Sequence, residues 1–245
     1  MKSSRIFLSK FALVIAFVLA LTSCGNSLNF EGTKGNGNIT TETRTITENF
    51  EKIHVNSGIN LIVTQSDNRL IEVETDENIQ SLITTTVENG ILIISSNASY
   101  STTSGPEVRV NLPLITGLKS SSGASIKNGN VLKTTSLTVE SSSGSDVELE
   151  VEADFISMES TSGSDIEVSG KALKAETSSS SGSDIDAGKL LANEVFAQSS
   201  SGSSTTVNPI LSLKAKASSG SDIRYKNIPK TLEKEESSGG DITKD

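Results

Sequence analysis

Asp146, Asp165, Asp184, Asp222 and Asp241 each follow a Ser-Gly-Ser or Ser-Gly-Gly step, and Ser204 holds the same place in one further copy of the motif. If the copies stack, neighbouring carboxylates lie about 5 Å apart. Such a ladder could take Ca²⁺, because hard cations prefer several oxygen ligands. The competing reading gives each Asp a local task, accepting backbone N–H bonds at a turn. The second is favoured, because calcium-binding β-rolls use a shorter nonapeptide motif that is absent here, so no cofactor is expected. His54 is the single histidine. With no histidine or cysteine cluster there is no zinc site to build, and with no Gly-x-Ser-x-Gly elbow there is no exposed serine nucleophile of that type. A polysaccharide-cleaving site would need carboxylates and cations on one face. Asp184 and Asp186 are spaced to share a face, but Arg109 and Arg224 are far apart in sequence. Aromatic sugar platforms are scarce too: there is no Trp, and Tyr occurs only at 100 and 225. An enzyme is therefore not expected.

Cys24 is the one residue with a defined covalent role to expect. Lys2, Arg5 and Lys10 precede or open an apolar run from Phe11 to Leu21. That run is too short for a permanent membrane helix, which needs about 20 residues, and it has the length of a signal-peptide core. Leu21-Thr22-Ser23-Cys24 resembles the lipobox of bacterial lipoproteins, which implies cleavage before Cys24 and acylation of its thiol. No second cysteine exists, so no intramolecular disulfide competes. The expected partner at this end is a membrane, held through the N-terminal lipid, with the chain in the cell envelope at the outer membrane. Loss of residues 1–23 leaves 222 residues and takes the formal charge from −9 to −12. A chain this acidic is not suited to neutralising phosphates, so nucleic acid is excluded as a partner. Residues 24–43, rich in Gly, Asn and Thr, read as a flexible tether.

The elements that carry the aspartates are repeats. Gly123, Gly144, Gly163, Gly182, Gly202, Gly220 and Gly239 recur at gaps of 21, 19, 19, 20, 18 and 19 residues, a period typical of stacked coils. Within each repeat the alternation is period two, the mark of a strand. Leu137, Val139, Ser141, Ser143, Ser145, Val147, Leu149 and Val151 share one parity. So do Ile156, Met158 and Ser160, then Leu173, Ala175, Thr177 and Ser179, then Leu211, Leu213, Ala215 and Ala217. The expectation is an all-β, single-domain, right-handed parallel β-solenoid with coils of about 19 residues. Its glycine column marks a corner at positive φ, and the motif serines lie inside that corner or, if the corner flips the parity, outside it. The charged stretch 226–236 reads as an interruption of the last full coil.

Before the repeats, residues 53–63 read as strand, glycine corner, strand. Residues 70–74 and 91–94 read as strands, the latter after an Asn89-Gly90 turn, and 76–83 as one helical turn, which leaves room for antiparallel strands in this N-terminal part. Here Phe50–Gln65 (FEKIHVNSGINLIVTQ), Glu88–Ser95 (ENGILIIS) and the trailing SGSDI repeats resemble the head-GIN domain family of proposed auto-transporter adhesins, common in envelope lipoproteins of Bacteroidota. The tripeptide is Gly58-Ile59-Asn60, and the resemblance covers residues 44–245, with the SSGSD-type repeats from 119. It implies a β-helix-like fold and an adhesin role, with no catalytic residues. The expected function is a lipid-anchored binding module for a glycan or protein ligand. A structural envelope spacer and a polysaccharide-active enzyme are the alternatives, and the oligomeric state is open.

Overall fold

A computed structural model describes residues 32–245. The signal segment, Cys24 and the first part of the tether lie outside the described residues. The strands run in order β1 (Thr33–Lys34), β2 (Ile39–Thr43), β3 (Lys52–Val55), β4 (Asn60–Gln65), β5 (Leu70–Asp76), β6 (Ile83–Glu88), β7 (Ile91–Ser96), β8 (Tyr100–Ser101), β9 (Glu107–Leu112) and β10 (Gly117–Ser121). They continue as β11 (Ser125–Asn128), β12 (Leu132–Ser142), β13 (Asp146–Thr161), β14 (Asp165–Ser180), β15 (Asp184–Ser199), β16 (Ser204–Ala217), β17 (Asp222–Tyr225), β18 (Thr231–Glu236) and β19 (Asp241–Lys244). Among the described residues one 3-10 turn, Gln80–Leu82, interrupts them, where one helical turn was expected.

The chain is a β-solenoid of about seven turns with coils near 19 residues, and it mixes in antiparallel strands at its N-terminal part. Each long strand serves two sheets. In β13, Asp146–Glu148 pairs in parallel with β11, while Val151–Thr161 pairs in parallel with β12. The strand therefore folds round a second bend, where the register skips Asp154. One sheet holds the legs that lead into the Ser-Gly corner, the other the legs that leave it. Continuous inward columns fill the space between them: Leu137, Ile156, Ala175, Val195 and Leu213 from the first sheet, and Val147, Ile166, Ile185, Thr205 and Ile223 from the second, all buried. A single coil buries only a few small aliphatic groups, and stacking turns them into one core.

The Ser-Gly corner is tighter than a lone glycine at positive φ. Both residues are left-handed: Ser143 and Gly144 at φ 58° and 66°, Ser162 and Gly163 at 58° and 67°, and likewise at every repeat. Ser57-Gly58 has the same geometry at 63° and 69°, so the GIN tripeptide begins on the first corner of the same column. Holding a non-glycine residue in this region costs about 1–2 kcal/mol, and each corner offsets the cost with hydrogen bonds. The Gly144 N–H donates to Ser162 O at 3.2 Å, Gly163 to Ser181 O at 3.2 Å and Gly182 to Ser201 O at 3.1 Å, a ladder running from corner to corner.

The motif serines divide by position. Ser141 and Ser145 are buried with their hydroxyls 2.9 Å apart, and Ser160 and Ser164 repeat this at 2.9 Å. Ser164 Oγ also donates to Ser141 O of the preceding coil at 2.8 Å, and Ser183 Oγ to Ser160 O at 2.6 Å. Ser143, Ser162 and Ser181, at positive φ, face solvent. The inward parity thus holds through the corner except at its tip.

Several expectations need correction. Leu173 and Leu211, assigned inward by parity, are 55% and 37% exposed. They occupy the second bend, where alternation is broken. Residues 33–34 and 39–43 are not tether. β1 pairs with β8 in parallel, and β2 pairs antiparallel with β5, because the end of the stack offers β5 as an open edge. Residues 226–236 interrupt the last coil only over 226–230, between β17 and β18. Thr231–Glu236 pairs with Ser212–Ala217 in register, since an exposed terminal strand tolerates charge where an internal one would not.

Candidate functional site

The solenoid offers its outer faces, and three among the described residues are distinctive. The first is the outside of the second sheet. Asp146, Asp165 and Asp184 are directly in register on adjacent coils, and Asp222 is in register with Asp241 beyond Ser204. The column predicted from the motif therefore exists. Its carboxylates stand in a line along a flat strand face rather than converging. Among the described residues, no group of three acidic, histidine or cysteine side chains is placed to hold a metal ion. The carboxyl of Asp165 is pushed up from its ordinary value by partial burial, and further by Asp184 and Asp146 on either side. The turn role expected of these aspartates belongs to the serine before them. Ser145 Oγ accepts the Ser142 N–H at 3.1 Å, Ser164 that of Thr161 at 3.2 Å, Ser183 that of Ser180 at 3.2 Å and Ser221 that of Ser218 at 3.1 Å. A serine reaches back from inside the corner, whereas the Asp side chain one residue later points outward by strand alternation. Lys127 pairs with Glu148 at 2.6 Å and Lys189 with Glu167 at 2.7 Å beside the column. A trough of about 510 Å³ runs over these side chains.

The second face is the bend. Leu173, Leu191 and Ile210 stand out from successive coils, 55%, 43% and 41% exposed, with Lys133 and Lys171 beside them on either side of Glu152. They line an open groove of about 520 Å³. Parity arguments hid this strip. A sequence signal exists only for Leu173, at the position nine residues before each corner glycine, which elsewhere holds Thr135, Asp154, Asn193 and Leu211. Polar residues at that place in three coils mark it as an outward position.

The third face is a groove of about 320 Å³ on the outside of the first sheet, near the GIN corner. Ile91 and Ile93 of β7, Lys52 and His54 of β3 and Gly117 of β10 line it, with the Lys52 side chain lying over Gly117. His54 Nε2 lies 3.0 Å from Ser121 Oγ, a pairing across 67 residues that sequence alone did not reveal. Partial burial lowers the imidazole pKa, the positive charge of Lys119 lowers it further, and Glu140 opposes both. No carboxylate bonds to the other ring nitrogen among the described hydrogen bonds, so the pair lacks the orienting third group that serine activation uses. Of the arginines weighed for a lyase, Arg109 is held by Glu74 at 3.2 Å and by Glu107, and Arg224 lies 3.7 Å from Asp222 several coils away. They do not share a site.

Solved structures with this fold include a putative adhesin from Bacteroides fragilis, 23% identical with a TM-score of 0.81, covering 87% of this chain and 100% of that one. A putative adhesin from Parabacteroides merdae is 22% identical with a TM-score of 0.71, covering 87% and 99%. A putative lipid binding protein from Parabacteroides distasonis is 22% identical with a TM-score of 0.73, covering 88% and 100%. No curated protein matches the chain. Residues 49–229 match the family described as "Putative auto-transporter adhesin, head GIN domain". That span runs from just before β3 through all but the last of the Ser-Gly repeats, so the chain belongs to the head-GIN domain family.

Proposed function

We propose that the chain is a lipid-anchored cell-envelope protein of adhesin or binding type, without catalytic activity, that engages an extended glycan or protein ligand along the solenoid. The observation that carries this reading is repetition on the outside. Each coil presents equivalent positions at the same spacing, and a long ligand can meet several coils at once. The exposed aliphatic strip Leu173, Leu191 and Ile210, bordered by Lys133 and Lys171, supplies the apolar contact that acidic flanks cannot. Family membership and the adhesin-named structural neighbours support the role, and the Leu21-Thr22-Ser23-Cys24 sequence supports the anchor.

The test uses a tag after Asp245 on intact cells. Rapid loss of the tag to added protease is expected for an adhesin at the outer face. Protection until the outer membrane is opened would end the adhesin reading in favour of a periplasmic scaffold. A binding array of glycans, matrix proteins and phospholipids then identifies the ligand class. Leu173→Asp together with Leu191→Asp should abolish that binding while leaving the fold intact. Cys24→Ser should move the protein from the membrane to the soluble fraction.

A further inference from the structure

β6 is the outermost strand of the first sheet at the N-terminal end of the stack and pairs on one side only, antiparallel with β7. Asn89 and Gly90, both at positive φ, close the hairpin as a two-residue turn. That turn makes Glu88 and Ile91 a hydrogen-bonded pair, and the alternation of an antiparallel ladder then sends the backbone groups of Thr86 and Thr84 towards β7. The N–H and C=O groups of Thr85 and Val87 and the C=O of Ile83 point the other way, across the free edge. The Ile83 N–H is already used on Gln80 O. None of these outward-pointing groups bonds to other backbone among the described residues.

The side chains of this edge also set it apart. β6 reads Ile-Thr-Thr-Thr-Val-Glu, five β-branched residues with a single charge at the turn. The strand at the opposite end of the same sheet, β18, reads Thr-Leu-Glu-Lys-Glu-Glu. Proteins commonly place charge on an edge strand to stop it pairing. β18 follows that rule and β6 does not.

We propose that β6 is a self-recognition edge, at which two copies of this chain pair antiparallel about a two-fold axis through Thr85. One register satisfies every constraint. The face of β6 towards the core carries Ile83, Thr85 and Val87, opposite Ser96, Ile94 and Leu92 of β7. Residues opposite one another in an antiparallel pair lie on the same face, so Thr85 meets Ile83, Thr85 or Val87 of the other copy, and only the register centred on Thr85, with Ile83 opposite Val87 and Thr84 opposite Thr86, uses all five β-branched residues. Every pair is then β-branched, the combination that strand pairing favours. The Thr85 N–H and C=O groups meet their counterparts across the axis, and the Val87 N–H meets the Ile83 C=O. Glu88 falls opposite Leu82 of the other copy, so the two carboxylates lie at opposite ends of the joint strand pair. The dimer makes one sheet continuous through two solenoids, and it stands independently of what ligand the outer faces take.

The test is the solution mass of the full chain in a density-matched detergent, under reducing conditions so that Cys24 cannot cross-link. Sedimentation across the micromolar range should show a dimer. Thr86→Lys, an outward and exposed position, sets two cations about 7 Å apart across the axis and should halve the mass while the circular dichroism stays that of the parent. Thr85→Pro removes an N–H that β7 does not use and should also give a monomer. If Thr85→Pro fails to fold, Thr86→Lys decides. A parent chain that is monomeric throughout, or a dimer that survives Thr86→Lys, overturns the proposal.

Discussion

At the end of the stack bounded by β7 and β9, parallel pairing stops and antiparallel strands take over. β6 closes one sheet, and β5 with β2 closes the other. Residues 44–51 cross between the sheets, from a bond to Ile71 O at 2.8 Å to one with Gly90 O at 3.4 Å, with Ile46 packed on the core. Gln80 sits buried under this lid, donating to Thr40 O at 2.8 Å and Val73 O at 3.0 Å and accepting from Arg44 at 3.1 Å. At the opposite end no antiparallel strand covers the stack among the described residues. β18 and β19 continue the parallel stack and stop it with side chains. Lys234 and Glu236 occupy the columns that Ala215 and Ala217 hold one coil earlier. Lys234 Nζ bonds to Ile242 O at 2.6 Å and lies 5.1 Å from the Tyr225 ring centre, and Glu236 Oε1 accepts the Ile242 N–H at 3.0 Å. Two solutions to one problem are visible. An open solenoid end exposes both core and strand edge, and it is either roofed by more chain or made hostile to further stacking by charge.

This contrast is best broken at the roofed end. Gln80→Leu leaves the Thr40 and Val73 carbonyls without their donor and should cost about 2–3 kcal/mol, read as a lower urea midpoint. The charged end should respond in kind rather than in stability. Lys234→Ile with Glu236→Val turns β18 into an apolar edge, and the expected result is concentration-dependent end-to-end association with a stability change under about 1 kcal/mol. If that double variant associates no further than its parent does, charge is not what stops the stack.

Two titrations sharpen the comparison between the interior coils and the roofed end. Asp165, in mid-stack, has a carboxyl pKa raised by burial and by its neighbours. Raising it in the folded state means that the ionised form opposes folding above that pKa, and that protonation removes the penalty as pH falls. Asp165→Asn should therefore gain stability at neutral pH, by less than about 0.5 kcal/mol because solvent screens this exposed carboxylate, and the gain should vanish in acid. His54, in the coil next to β7, has a lowered pKa, so the sign is opposite. The folded state resists protonation, and stability is whole above the ordinary imidazole value and declines as pH falls through it. His54→Asn should flatten that decline, by less than about 0.5 kcal/mol, while the single imidazole resonance of the parent titrates below 6.5.

Legibility differed along the chain for identifiable reasons. The corner glycines and the inward columns of Val147, Ile166 and Ile185 could be read directly, because period-two alternation and a fixed repeat are local properties of a strand. The Asp column was likewise legible as a column. Its turn role was not, since whether Ser145 or Asp146 reaches a backbone N–H depends on which side of the corner each lies. Leu173 was misplaced because the bend resets the alternation, and a bend leaves no residue type of its own in every coil.

The repeat, the strand parity and the glycine spacing thus determined the class of fold and the coil length before any coordinates, and the resemblance of Phe50–Gln65, Glu88–Ser95 and the SGSDI repeats pointed to the family. Stacking itself decided the rest. The pairing of His54 with Ser121, the order in which β7 and β9 come to lie beside β3 and β4, and the contrast between a bare β6 and a charged β18 all depend on residues distant in sequence meeting across coils. Alternation says which way a side chain points, but only the assembled stack says what it meets and which edges are left unpaired.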